Sequence, residues 1–113
     1  MSLGLEINIE EISSKIVLRL VGRIDAKTAP TLQNKIEVLL KEGYKNINLD
    51  FSNISYLSSA GLRVLISSTK ELEKEKGRLT IFSVLDNVYE IIKLTGFEKI
   101  LNIYKNEKQA LTS

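Results

Sequence analysis

The sequence predicts an α/β fold, in which strands alternate with helices around a mixed β-sheet. Apolar and polar residues alternate over several short segments, with the period of two that is typical of half-exposed strands. Between these segments apolar residues recur three, four and seven positions apart, the spacing of a helix that buries one face. Such connections favour parallel strands. The predicted order is ββαβαβαβα, with four to five strands and about four helices, in a single domain covering residues 1–113.

The first elements are a predicted hairpin followed by a helix. Residues 5–9 and 16–21 form the two strands, with Ser13-Ser14 as the turn between them. The helix is expected to begin near Thr28 as N-cap, because Pro30 is tolerated only in a first turn, and to stop at Gly43.

The remaining elements alternate in the same way. The pattern predicts a third strand at 47–51 with one polar face, followed by a connecting loop at 52–58. The later predicted elements are a helix ending at Gly77, a strand at 79–82, a helix capped by Asp86 or Asn87 and stopped at Gly96, a strand at 100–104 and a helix at 107–111.

Composition excludes several kinds of chemistry. The chain contains no His, Cys or Trp, so it has no thiol nucleophile and no thiolate or imidazole ligands for a metal. A net charge of +2 and the alternating charges of residues 70–76 give no basic face for nucleic acid. No apolar stretch is long enough to span a membrane, and Glu6 interrupts the first apolar residues, so a cytoplasmic protein is expected.

The most promising site is the start of the second helix. Ligand sites in open α/β sheets lie beyond the carboxyl ends of the strands, which here are the loops around Asp25 and Ser59. Ser58 or Ser59 is a suitable N-cap, and the small residues Ala60 and Gly61 leave the helix mouth open. A phosphate on Ser59 would meet the positive end of the helix dipole.

Two other kinds of site have weaker support. Asp25, Asp50 and Asp86 could all lie near strand ends and hold Mg²⁺, although aspartates in turns and caps explain them more simply. Neither a dinucleotide fingerprint nor a P-loop motif occurs, so a nucleotide-binding protein is only a minor alternative and no cofactor is expected.

Three motifs follow one another along the chain. The first is Gly22-Arg23-Ile24-Asp25, the second is the stretch from Asn48 to Leu62, and the third is Leu94-Thr95-Gly96-Phe97. The second contains Asp-x-Ser, a short hydrophobic segment and Ser-Ser-Ala-Gly-Leu. In this order the motifs resemble the STAS domain, and in particular the bacterial anti-sigma factor antagonists, and the resemblance extends over essentially the whole chain.

The resemblance implies a partner switch without catalysis by this chain. The unphosphorylated antagonist binds an anti-sigma factor that is itself a serine kinase, which frees the sigma factor. The kinase then phosphorylates the antagonist, and a serine phosphatase reverses the modification. Ser59 matches the phosphorylated serine, and no catalytic residue is implied. The expected partner-binding residues lie around it: Asp25, Thr28, Ser58, Ser59, Ala60, Gly61, Leu62 and Arg63.

One departure from the family pattern leaves alternatives open. The usual Asp before the phosphorylated serine is Ser58 here, so Ser58 is an alternative acceptor. A second possibility is a STAS scaffold, in a transporter or a stress-signalling complex, that is never phosphorylated. A monomer or weak dimer is expected in either case.

Overall fold

The computed structural model describes residues 4–113, and residues 1–3 of the predicted domain lie outside the described residues. Five strands form one sheet in the order β1-β2-β3-β4-β5, where β1 is antiparallel to β2 and the other neighbours are parallel. The strands are β1 (Leu5–Ile12), β2 (Lys15–Ile24), β3 (Asn46–Leu57), β4 (Arg78–Phe82) and β5 (Ile103–Tyr104). The helices are α1 (Ala29–Lys41), α2 (Ser59–Lys74), α3 (Asp86–Thr95) and α4 (Glu107–Thr112). The predicted class and order are confirmed.

The hairpin turn between β1 and β2 lies where it is predicted. Ser13 and Ser14 both have positive φ, 49° and 70°, as a two-residue turn that matches the strand twist requires. The turn sets the register in which Ile9 pairs with Leu18 and Asn8 with Arg19. The two strands therefore place their apolar residues on the same face of the sheet.

The main core lies between one face of the sheet and helices α1, α2 and α3. Leu18, Leu49 and Ile81 of the central strands are fully buried there, together with Leu32 of α1 and Leu65 of α2. The apolar stripes predicted for these helices are therefore the faces that pack on the sheet. This packing fixes where the N-terminus of α2 emerges.

A smaller cluster lies on the opposite face of the sheet under α4. Val17, Phe82 and Ala110 form its buried part. The polar face predicted for β3 is also on this side: the Asn48 amide donates to the Ile16 carbonyl at 3.1 Å and its oxygen accepts from the Thr80 hydroxyl. These bonds satisfy polar groups that would be costly to bury alone.

The loop predicted at 52–58 is wrong, because β3 continues to Leu57. The register between β2 and β3 shifts twice: Arg19 pairs with Asp50, Val21 with Asn53, and Arg23 with Tyr56. Each shift places an extra residue in β3, so the strand bends but stays paired. These irregularities break the period-two pattern on which the sequence prediction depended.

Three predicted element boundaries after β3 also need correction. The strand predicted at 100–104 is reduced to Ile103–Tyr104, because Phe97–Lys99 form a 3₁₀ turn after Gly96. The N-cap of α3 is Leu85, with no side-chain cap, rather than Asp86 or Asn87. Helix α2 ends at Lys74, short of the predicted Gly77. The stop of α3 at Gly96, with φ of 79°, is confirmed.

Candidate functional site

The two loops singled out in the sequence are neighbours, because β2 and β3 are adjacent and parallel. The Ser58 amide donates a hydrogen bond to the Ile24 carbonyl at 2.8 Å, which joins the ends of the two strands. The loop that contains Asp25 and the start of α2 therefore lie side by side at the carboxyl edge of the sheet. This is the edge at which ligand and partner sites occur in open α/β folds.

Ser58 is the N-cap of α2, which is one of the two capping alternatives of the sequence analysis. Its backbone is extended, with φ of −88° and ψ of 172°, and its hydroxyl accepts a hydrogen bond from the Gly61 amide at 3.1 Å. The side chain is half-buried. The Ser58 hydroxyl is thus already engaged in holding the first turn of the helix.

Ser59 differs from Ser58 in each of these respects. It is the first residue of α2, it is exposed, and within residues 4–113 its hydroxyl makes no hydrogen bond. The first turn of α2 contains no acidic side chain. A negative group added to Ser59 would therefore meet unpaired amides and the positive end of the helix dipole without a neighbouring carboxylate in that turn.

The next residues anchor the helix to the sheet. A Cβ atom at Gly61 would lie 2.6 Å from the Ile24 Cγ2 atom and 2.9 Å from the Ile24 carbonyl oxygen. Gly61 is buried and Leu62 is only 3% exposed, whereas Ala60 is half-buried. The glycine of the motif thus permits close packing, and the exposed surface belongs to Ser59 and Arg63.

Asp25 and Thr28 hold the neighbouring loop in shape. The Asp25 Oδ1 atom accepts from the amides of Lys27 at 3.0 Å and Thr28 at 3.1 Å, while the Thr28 hydroxyl donates to the Arg23 carbonyl at 2.8 Å. The hydrogen bond from the Thr28 amide is the main reason why the pKa of Asp25 lies below its ordinary value. Thr28 precedes α1 as predicted, although its side chain makes no cap bond to that helix.

A groove of about 490 Å³ begins at Ser59 and follows α2. Its wall on the other side is the segment after α3, in which Phe97 and Ile100 are each 39% exposed. Two cations, Arg63 and Lys70, line it on the α2 side. Its lining consists of Ser59, Leu62, Arg63, Ile66, Ser67, Lys70, Thr95, Phe97 and Ile100.

The sequence analysis did not include Lys70, Phe97 or Ile100 among the partner-binding residues. Lys70 could have been predicted from the sequence as a residue of this surface, because positions 59, 63, 66 and 70 lie on one face of a helix. The approach of Phe97 and Ile100 to that face depends on how α3 packs, for which the sequence carries no local signal.

The three aspartates proposed as an alternative Mg²⁺ site are engaged separately. Asp25 accepts hydrogen bonds within its own loop, and Asp50 pairs with Arg19 at 3.0 Å and accepts from the Ser52 amide and hydroxyl. Asp86 lies in the first turn of α3. Within residues 4–113, no group of three or more carboxylates has the arrangement of a metal site.

Over the same range no helix is both long and apolar enough to cross a membrane.

Comparison with known proteins agrees with this architecture. The family model described as the STAS domain matches residues 6–110. The anti-sigma-B factor antagonist of Listeria monocytogenes is 32% identical over 104 residues, which cover 91% of this chain and 90% of that protein.

Solved structures show the same fold. An anti-sigma factor antagonist from Mycobacterium paratuberculosis is 28% identical, with a TM-score of 0.85 over 96% of this chain and 92% of that one. The Bacillus cell fate determinant SpoIIAA is solved in its unphosphorylated form (21% identity, TM-score 0.78, coverage 94% and 93%) and in its phosphorylated form (20%, 0.71, 95% and 97%). The chain therefore belongs to the STAS domain family, and within it to the anti-sigma factor antagonists.

Proposed function

We propose that this protein binds an anti-sigma factor when Ser59 is unmodified and releases it when Ser59 is phosphorylated. Antagonists of anti-sigma factors at 32% identity support the first half of this proposal. The second half depends on one observation above all: beside a groove, Ser59 is exposed and its hydroxyl makes no hydrogen bond to any residue of the described range 4–113. This second half is consistent with the existence of SpoIIAA in an unphosphorylated and a phosphorylated form.

The geometry favours Ser59 over Ser58 as the acceptor. Phosphorylation of Ser58 would remove the hydroxyl that accepts from the Gly61 amide and would place the phosphate at a half-buried position. Phosphorylation of Ser59 would leave the N-cap in place. The fold therefore tolerates a phosphate on Ser59, while the charge of the surface beside the groove changes by about −1.5 to −2.

A change of this size is sufficient for a switch. Burying a phosphate in an interface shaped for a hydroxyl costs several kcal/mol through desolvation and poor packing. Each 1.4 kcal/mol corresponds to a factor of ten in affinity, so a penalty of about 3 kcal/mol weakens binding more than a hundredfold. The switch then needs no large conformational change in this chain.

The partners supply the chemistry in this proposal. The anti-sigma factor is a serine kinase that brings ATP, a serine phosphatase removes the phosphate, and this chain is the substrate of both. Regulation of a sigma factor takes place where RNA polymerase acts, so the proposed site of function is the cytoplasm.

Incubation with ATP and the proposed partner, the anti-sigma factor kinase, followed by intact mass and peptide mapping, tests which serine accepts the phosphate. We expect one added phosphoryl group, about 80 Da, which Ser59→Ala abolishes and Ser58→Ala retains.

The two single variants serve as controls for each other, because both remove a hydroxyl from the same turn. Label that persists in Ser59→Ala and disappears in Ser58→Ala would move the acceptor to Ser58. Absence of label in the parent protein, despite binding of the kinase, would contradict the switch and favour an unphosphorylated scaffold.

A further inference from the structure

The groove beside Ser59 combines an apolar floor with two cations that have no counter-charge among the described residues. Leu62 and Ile66 of α2 face Phe97 and Ile100 across it. Arg63 and Lys70 line it, and none of its lining residues in the described range 4–113 is acidic. Neither cation takes part in an ion pair within residues 4–113, where four such pairs occur elsewhere.

Arg63 has two possible counter-charges at this position. It lies four residues after Ser59 on the same helix, a separation at which side chains are about 5–6 Å apart at Cβ. A phosphate on Ser59 is thus within reach of its guanidinium, which suits bidentate bonding to phosphate oxygens. A carboxylate on a partner segment that lies in the groove would meet the same guanidinium.

We propose that a phosphate on Ser59 and an acidic, amphipathic segment of the anti-sigma factor compete for Arg63. This inference rests on the proposed function and adds the way in which the switch acts. In the unmodified protein Arg63 pairs with a partner carboxylate while the apolar floor binds the apolar side of that segment. In the phosphorylated protein the phosphate occupies Arg63 in cis, so the partner loses a counter-charge and also faces a new negative group.

The choice of occupant follows from the charge of the groove. The groove presents the exposed side chains of Phe97 and Ile100 beside two cations that have no ion-pair partner within residues 4–113. Such a surface is complementary to a segment with apolar and acidic faces. A basic segment would meet Arg63 and Lys70 with like charge. A second copy of this chain would bring the same two cations to the same surface, which disfavours pairing of one groove with another.

The contact between the phosphate and Arg63 can be measured without any partner. Protein carrying phosphoserine at position 59, introduced during translation, is titrated by ³¹P NMR beside the same phosphoprotein with Arg63→Gln. The second pKa of an isolated phosphoserine is about 6. We expect the pKa of the phosphate to be lower by about 0.5 in the parent phosphoprotein than in the Arg63→Gln variant, because a nearby cation favours the dianion.

Arg63→Lys should recover part of that difference, and Lys74→Gln, which removes a cation from α2 outside the groove, should leave the pKa of the phosphate unchanged. Equal pKa values for the phosphate in the parent and Arg63→Gln proteins would overturn the contact.

Competition is tested by a double-mutant cycle, in which calorimetry measures how tightly each variant binds the proposed anti-sigma factor kinase. Arg63→Gln should weaken binding of the unmodified protein about tenfold. The loss caused by phosphoserine at 59 should then be about tenfold smaller in Arg63→Gln than in the parent, because the cation is already gone.

An equal loss in both backgrounds would show that the phosphate acts by repulsion alone and would overturn the competition. If phosphoserine at 59 leaves binding unchanged in both backgrounds, the proposed function fails, and with it the competition. The ³¹P measurement would still report whether Arg63 binds the phosphate, so the two failures are distinguishable.

Discussion

At the scale of single residues, the two adjacent serines divide two tasks between them. Ser58 caps α2 by accepting a hydrogen bond from the Gly61 amide, whereas the exposed Ser59 hydroxyl has no hydrogen-bond partner in the part of the chain that the structure describes. Ser58→Ala should lower the free energy of unfolding by about 1 kcal/mol, the usual cost of losing an N-cap. Ser59→Ala should stay within about 0.5 kcal/mol of the parent, as exposed substitutions do. Urea unfolding of both variants measures the difference.

The reverse order of stabilities would contradict this division. If Ser59→Ala were the more destabilised variant, its hydroxyl would have a structural role, and its exposure could no longer be taken as availability for modification.

Asp50 provides a second test at this scale, through pH. Burial raises its pKa, but the Ser52 amide and hydroxyl and the Arg19 guanidinium outweigh burial, so the pKa of the folded protein lies below its ordinary value. A depressed pKa contributes stability that is present above about pH 4 and is lost as pH falls through the lower folded value. Asp50→Asn should therefore cost about 1 kcal/mol at pH 7.

The cost of Asp50→Asn should shrink towards zero below pH 4, as measured by urea unfolding at a series of pH values. Glu10→Gln is the matched control, because Glu10 pairs with the same Arg19 at a more exposed position and should cost less at pH 7. A cost for Asp50→Asn that is constant from pH 7 to pH 3 would assign the effect to packing rather than to charge.

At the scale of elements, the sequence predicted what local patterns determine. The hairpin turn at Ser13-Ser14 and the stop of α3 at Gly96 depend on local backbone preferences, and both are found in the structure. The continuation of β3 to Leu57 was missed, because it depends on pairing with β2 across two irregularities. For the candidate site, the Ser-Ser-Ala-Gly-Leu motif correctly located the start of α2. The groove wall formed by Phe97 and Ile100 was not predicted, because it results from tertiary packing.

The position of α2 depends on the absence of a side chain at Gly61. In Gly61→Ala the new methyl group would have to move either Ile24 or the helix, since its nearest contacts with Ile24 are 2.6 Å and 2.9 Å away. Such overpacking typically costs about 1–3 kcal/mol. We expect a loss of about 2 kcal/mol in urea unfolding, with amide chemical-shift changes concentrated at the start of α2 and the end of β2.

Ser59→Ala, which changes the same turn without meeting the sheet, is the control for Gly61→Ala. Unchanged stability in Gly61→Ala would mean that the motif's glycine is not required for packing and would point to a direct role at the interface.

At the scale of the whole molecule, the two faces of the sheet are closed in different ways. Three helices cover the main core, whereas α4 covers the smaller cluster of Val17, Phe82 and Ala110. Two cations of β2 join α4 to the sheet. Lys15 donates a hydrogen bond to the Leu111 carbonyl of α4, and Arg19 contacts Glu107 of α4 at 2.6 Å, as well as Asp50 at 3.0 Å and Glu10 at 2.8 Å. The hydrogen bonds that Arg19 donates to the Glu107 carboxylate are the main cause that raises the pKa of Arg19, so this guanidinium stays charged.

This arrangement predicts that α4 can be loosened without disturbing the site. Ala110→Gln would bury an amide among apolar side chains, and we expect a loss of about 1–3 kcal/mol in urea unfolding, with faster amide hydrogen exchange in α4 and β5. Lys108→Gln, an exposed change on the same helix, should leave both measurements within error of the parent. The proposed phosphorylation of Ser59 should proceed at the parental rate in Ala110→Gln, because α2 is held by the other face of the sheet. A slower reaction in Ala110→Gln alone would show that the two faces are coupled and that α4 belongs to the switch.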